Sequence, residues 1–310
     1  MATDRADWTR VSFEVGRDTL KEWREEHSRR SEEVSLLLFV LMALQVVELW
    51  EHVLSRNPAS LADELCTVYE QVCIAALDSA RPELALECIR ALDERFPRSS
   101  RVLRLQAMRY ESIGRFETAS DLYEKLIESD PANTSYRKRR IAILLGQGKR
   151  AEAIKALNEY LELFITDSEG WLQLCDLFLQ EGDFARAAHA AEELLLTAPM
   201  NAPYLRRVAD IRYSQGGMEN LELARVYYEQ ALKYSPNDVR ALFGLVLTFN
   251  SLLSLGKGGA DKKKEYVAGG AAAANRLLQR YEMIEGEATN PEEIMHIISA
   301  VTRIQSSFSK

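Results

Sequence analysis

Residues Ser168 to Asn201 read SEGWLQLCDLFLQEGDFARAAHAAEELLLTAPMN, and the fold follows from this one stretch. Trp171, Leu174, Cys175 and Phe178 recur at i, i+3, i+4 and i+7, a single apolar face of an amphipathic helix. Gly182 ends that helix, because glycine enters the left-handed region without a Cβ penalty. Asp183 supplies a cap for a second helix, whose Phe184, Ala187, Ala191 and Leu194 make a second apolar face before Pro199 closes the unit. A helical hairpin of this size cannot bury its apolar surface alone, so the stretch predicts neighbours of its own kind.

Those neighbours recur at a spacing of 34 residues. One step back aligns Gly182 with Gly148 and Ala187 with Ala153; a second reaches Gly114, Phe116, Ala119, Tyr123 and Pro131. A third reaches Ala85 and Pro97, with Tyr69 near the start of that unit. Forward, Ala224, Tyr228, Ala231 and Pro236 fit once three extra residues are allowed around Gly216–Gly217. An aromatic, a small residue, a glycine turn, an alanine and a terminal proline, in that order, resemble the tetratricopeptide pattern. The expected fold is all-α: a tetratricopeptide-repeat superhelical solenoid with flanking N- and C-terminal helices. Ala119, Ala153, Ala187 and Ala224 are the residues expected to let adjacent helices approach closely.

The chain has 310 residues, 47% apolar and 28% charged, the balance of a soluble protein. A solenoid grows by stacking, so this length needs no second core. The net charge of −8 disfavours nucleic acid as the main partner, since no basic excess is available to neutralise phosphates. Cys66, Cys73, Cys88 and Cys175 lack Cys-x-x-Cys spacing and fall mostly on apolar faces, which reads as free thiols in a reducing compartment; metal or disulfide use is the alternative. The first 30 residues carry Asp4, Arg5, Asp7, Arg10 and Glu14 without an apolar run, which does not match a cleaved signal peptide.

Four regions are expected in chain order. Residues 1–59 form an N-terminal helical extension, with a short helix around Thr19–His27 tucking Leu20 and Trp23 against the first repeat. Within it, Val34 to Val47 is apolar on every side, yet at 14 residues falls short of the roughly 20 that span a bilayer. Val46, Val47, Leu49, Trp50, Val53 and Leu54 then continue as an amphipathic helix as far as Asn57–Pro58. Joining Glu33 directly to Val46 would give SEEVVELWEHVLSRNP, one amphipathic helix capped by Ser31. Three readings of the segment therefore stay open: a buried or partner-covered helix, a membrane contact, or a gene-model artefact spanning Val34–Gln45. The solenoid runs over 60–255, a flexible Gly/Lys loop over 256–265, and two capping helices fill 266–310. Pro291, Glu292 and Glu293 suit a helix first turn, and Ile294, Ile297, Ile298, Val301 and Ile304 form its stripe. Gly269–Gly270 counts against a helix starting before Ala271.

No catalytic constellation is visible. His27, His52, His189 and His296 lie in different segments, without metal-ligand pairing, and no Gly-x-Ser-x-Gly is present. The chain reads as a binding protein with no cofactor or metal. In tetratricopeptide units the groove is lined by the first helix of each hairpin, chiefly at its second, fifth, ninth, twelfth and thirteenth positions. The lining expected here includes Arg101, Arg104, Met108, Glu111, Ser135, Lys138, Leu145, Leu172, Asp176 and Leu179. A carboxylate clamp of lysines and asparagines, known from chaperone-tail binders, is not matched: its positions hold Glu70 and Ile74, Arg104 and Met108, or Lys138 and Ala142. The run Arg137–Lys138–Arg139–Arg140 is spread around one helix, so salt bridges to neighbouring acidic helices are its first reading, and an acidic segment or anionic headgroups the second.

Several longer strings are more specific than generic repeat positions. They include Trp23–Arg24–Glu25–Glu26, Tyr69–Glu70–Gln71–Val72, Ile74–Ala75–Ala76–Leu77–Asp78 and Glu83–Leu84–Ala85–Leu86. Ala151–Glu152–Ala153–Ile154, Leu157–Asn158–Glu159–Tyr160–Leu161–Glu162, Gln215–Gly216–Gly217, Glu219–Asn220–Leu221–Glu222–Leu223 and Arg240–Ala241–Leu242–Phe243–Gly244–Leu245 complete the set. Over about residues 18 to 255 the chain resembles the family of subunit 2 of the endoplasmic reticulum (ER) membrane protein complex. The resemblance implies a scaffold at the cytoplasmic face of the ER membrane, without a membrane span of its own. It implies a hetero-oligomer with other subunits of the ER membrane protein complex, cradling cytosolic parts of membrane subunits and binding a cytosolic partner subunit. The assembled complex would insert tail-anchored and some multi-spanning proteins, with the insertion chemistry in other subunits. The apolar segment at 34–45 departs from that family's pattern. The alternative from another class is a stand-alone cytosolic adaptor for short peptides.

Overall fold

A computed structural model describes residues 11–29, 36–256, 259–285 and 291–308. Among the described residues the regular elements are fifteen α-helices and two short 3-10 segments. They divide into two compact units, Met1–Lys149 and Arg150–Lys310.

The first unit opens with α1 (Phe13–Arg29) and α2 (Leu36–His52), followed by the 3-10 segments Leu54–Arg56 and Pro58–Glu64. Two hairpins follow, α3 (Leu65–Asp78) with α4 (Pro82–Arg95) and α5 (Ser100–Ser112) with α6 (Phe116–Ser129), and then α7 (Thr134–Gly146). α1 extends well beyond the expected Thr19–His27. Its Leu20 is fully buried, and Arg24 reaches Glu64 at 3.3 Å. The amphipathic part of α2 packs as expected: Val46, Val47, Leu49, Trp50, Val53 and Leu54 are all buried, and Trp50 meets Tyr69 of α3 with ring centroids 5.2 Å apart. The preceding apolar residues join the same helix from Leu36, with Ala43 buried but Leu41 and Leu44 about two-fifths exposed. The cap expected at Ser31 lies outside the described residues. No helix among the described residues is long and apolar enough to cross a membrane.

The second unit contains α8 (Arg150–Leu163), α9 (Ser168–Gln180), α10 (Phe184–Thr197), α11 (Ala202–Gln215), α12 (Met218–Tyr234), α13 (Val239–Leu255), α14 (Ala260–Glu285) and α15 (Pro291–Ser307). Four of its helices start at side-chain caps, Asp183 among them as expected. Asp167, Asp183, Asn201 and Asp238 each accept a hydrogen bond from a backbone N–H in the first turn that follows.

Two sequence signals hold in both units. Ala85, Ala119, Ala153, Ala187 and Ala224 are each fully buried, where a larger side chain would not fit the packing. The hairpin turns at Gly114, Gly148 and Gly182 share one backbone conformation, φ 74° at each. Ala80 occupies the equivalent place in the first hairpin at φ 58°, which an L-residue adopts only at a cost.

One expectation needs correction, and two further sequence signals take their structural form here. The loop over 256–265 is short, because α14 begins at Ala260 and carries Lys262, Lys263 and Lys264 in its first turns. Ion pairs of both senses tie this start to α12: Lys262 lies 3.6 Å from Glu222, and Glu265 lies 3.3 Å from Arg225. Tyr266 also donates to Glu222 and packs its ring toward Phe249. Gly269 and Gly270 do not delay the helix either; they seat the rings of Phe249 and Phe308, whose atoms would lie 2.5 Å from a Cβ at each position. Finally, the three extra residues near Gly216–Gly217 enter α12. α12 has 17 residues where α4, α6, α8 and α10 have 14, so the insertion adds almost one helical turn.

Candidate functional site

In the first unit the first helices α3, α5 and α7 are joined by ion pairs. Glu70 of α3, only 15% exposed, takes both Arg104 at 2.8 Å and Arg101 of α5. Glu111 of α5 in turn takes Arg139 of α7 at 3.1 Å. Glu70 and Arg104 stand 34 residues apart, so opposite charges fall at one repeat position in successive units and meet when the units stack. The second unit uses the same device. Arg207 of α11 pairs with Asp176 of α9, and Arg206 reaches Asp238, at the start of α13, at 2.5 Å.

Two clefts open in the first unit beside these pairs. One, of about 170 Å³, has Leu92, Val102 and Leu105 as its floor, Phe96 as a half-exposed wall, and Glu70 and Arg101 at its rim. The other, of about 320 Å³, is lined by Leu77, Met108, Phe116, Ala142 and Ile143, with Glu111 and Arg139 at its rim. Behind Glu111 lies Tyr123, fully buried on α6; burial, with the Glu111 carboxylate beside it, raises its hydroxyl far above the ordinary tyrosine value. That hydroxyl stays protonated and structural.

The expected lining residues distribute unevenly. Arg101, Arg104, Met108 and Glu111 come together along α5 and border the clefts or their ion pairs. Ser135 is exposed in the first turn of α7, where its N–H donates to Asn133, while Lys138 and Leu145 are half-buried; none of the three lines either cleft. In the second unit Leu172 and Leu179 are half-buried on α9, and Asp176 is engaged by Arg207. Sequence reasoning missed Glu70, Arg139 and Phe96 as parts of the site. The charge alternation at one repeat position was the available signal for Glu70. Within the basic run of α7, Arg139 and Arg140 follow the salt-bridge reading, with Glu111 and with Glu124 at 3.5 Å.

The arrangement presents apolar floors with paired charges at their rims. No group of three or more metal-ligating side chains occurs among the described residues. Burial pushes the Cys73 and Cys88 thiols up to about 12 and raises Cys175 in the same way, so these three remain unreactive thiols at neutral pH.

The family model described as the EMC2 TPR-like repeat domain matches residues 95–217, and a tetratricopeptide-repeat model matches 213–238. ER membrane protein complex subunit 2-A of Xenopus laevis is 41% identical over 273 residues, which cover 88% of this chain and 88% of that protein. ER membrane protein complex subunit 2 of Dictyostelium discoideum is 30% identical over 199 residues, covering 60% of this chain and 62% of that one. Among solved structures, the C-terminal part of a TPR repeat-containing protein from Cytophaga hutchinsonii aligns with a TM-score of 0.55 at 14% identity. It covers 78% of this chain and 92% of that one, and supports the helical-repeat fold alone.

Proposed function

The chain belongs to the family of subunit 2 of the ER membrane protein complex, and from that membership we propose that it is a non-catalytic scaffold subunit at the cytoplasmic face of the ER membrane. It binds cytosolic parts of the membrane-embedded subunits and a cytosolic partner subunit, and so supports insertion of tail-anchored and multi-spanning proteins. Its membrane association runs through those partners. The observation that carries this reading is 41% identity extending over 88% of both chains, which takes in the whole repeat architecture. The geometry supports it: apolar-floored clefts rimmed by ion pairs on the first helices suit a polypeptide guest.

Purification of a tagged chain at native expression from mild detergent tests the proposal. A scaffold subunit brings down a membrane complex of fixed stoichiometry. Recovery with soluble partners in variable ratio would instead identify the stand-alone adaptor.

A further inference from the structure

The two clefts of the first unit share one wall, α5. The smaller is bordered by Arg101 to Leu105, the larger by Met108 to Ser112. Their midpoints on α5 are seven residues apart, about 10.5 Å at 1.5 Å per residue. Their volumes suit single side chains: a cavity of about 150 Å³ lined by aliphatic residues accepts a benzene-sized group, and the smaller cleft is of that size. The larger cleft has room for an indole.

The rims decide what kind of guest enters. Arg101 and Arg104 are closed onto Glu70, and Arg139 onto Glu111. An acidic guest group would compete for these guanidiniums with Glu70 and Glu111, whose side chains are only 15% and 16% exposed, and a basic one would face the arginines themselves. An apolar group keeps all three pairs and covers Leu92, Leu105, Met108 and Ile143.

From this spacing and charge balance we infer that the clefts together take one helical segment of a partner protein, bearing bulky apolar side chains at i and i+7 and no acidic anchor. The choice of helix over extended chain rests on reach. An α-helix repeats its face every two turns, about 10.5 Å, which equals the cleft spacing. Same-face side chains of a strand fall at multiples of about 6.6 Å and miss this spacing by about 3–4 Å, and those of a polyproline helix, about 9.3 Å apart, fall about 1 Å short of it. The guest helix lies alongside α5, in the manner of helix-in-groove recognition. This inference rests on the binding-scaffold reading above and narrows what the surface binds.

The test is selection of random 15-residue peptides, displayed on yeast, against the full chain. Enriched clones should carry two bulky apolar residues seven positions apart and few acidic residues. Thr67 and Ala142 line the two clefts from exposed positions, so Thr67→Trp fills one and Ala142→Trp the other without entering the core. Each should weaken the selected clones at least tenfold with the circular dichroism spectrum unchanged. Thr67→Phe and Ala142→Leu serve in place of either variant that fails to fold. No enrichment, enrichment of acidic carboxyl-terminal peptides, or undiminished binding by the filled variants overturns the inference. If the tagged chain still recovers a membrane complex of fixed stoichiometry, the scaffold reading stands and only the two-cleft guest falls.

Discussion

Gly244 sits in the middle of α13 against the ring of Tyr228 from α12. A Cβ there would lie 2.3 Å from Tyr228 Cζ, 2.5 Å from Cε1 and 2.6 Å from the hydroxyl oxygen. The ring has nowhere to go. Tyr228 is 2% exposed, and its hydroxyl donates to Asp210 at 2.5 Å. Gly244→Ala gains about 1 kcal/mol of helix propensity. Overpacking costs about 1–3 kcal/mol. Pushing the ring aside also strands the Asp210 carboxylate, a further 1–3 kcal/mol or so. The net expectation is a loss of about 3 kcal/mol, which for a unit of this size lowers Tm by about 6–12 °C. Thermal unfolding followed by circular dichroism measures it, and a double-mutant cycle locates the cause. In a Tyr228→Leu background the clash is absent, so the same Gly244→Ala change should become neutral or stabilising by up to about 1 kcal/mol. A penalty of equal size in both backgrounds, or no penalty in the native one, refutes the close-approach account.

Ala80→Gly should raise the denaturant midpoint of the first unit. Relief of a left-handed alanine is worth about 1–2 kcal/mol, less about 0.4–1 kcal/mol for the freer unfolded glycine; a lowered midpoint would contradict this. Arg101→Glu with Arg104→Glu should reduce recovery of partner subunits in pull-downs. Because both arginines neutralise Glu70, the double variant should also melt a few degrees lower, unlike an Arg→Gln pair at the same sites. Equal recovery of partners would move the binding surface away from α5. Deleting Val34–Gln45 should leave Tm within about 2 °C, since the buried residues Val46, Val47, Leu49, Trp50, Val53 and Leu54 all stay and Ala43 is the one buried residue among 41–45. A larger drop would show the segment to be structural, and transcript sequencing across Glu33–Val46 tests independently whether the segment is expressed.

The repeat hairpins were legible because their signals are local and periodic. Gly114, Gly148 and Gly182 each answer to a backbone angle, and Asp183 to the N–H groups of the turn beside it, so no distant contact has to be known. The charges around the clefts were harder. Glu70, Arg104 and Arg139 look like solvated helix residues until stacking brings one unit's carboxylate under the next unit's guanidinium. The start of α14 was misplaced for a related reason. Glycine and lysine composition argues for a loop, while Tyr266, Phe249, Phe308 and the acids of α12 supply tertiary packing that outweighs local preference. Phe96 was invisible as a cleft wall because an aromatic at a helix end reads as core, and here it stands half exposed.

The additional turn of α12 bears on how a repeat protein is read by what it meets. Interchangeable hairpins present a ligand with several near-identical seats, each displaced from the next by one unit, and nothing in an ideal array forbids slipping from one to another. One hairpin of 37 residues among hairpins of 34 removes that degeneracy. The longer second helix sets this hairpin apart from its fellows, so a partner that reads α12 has one alignment to match and not several.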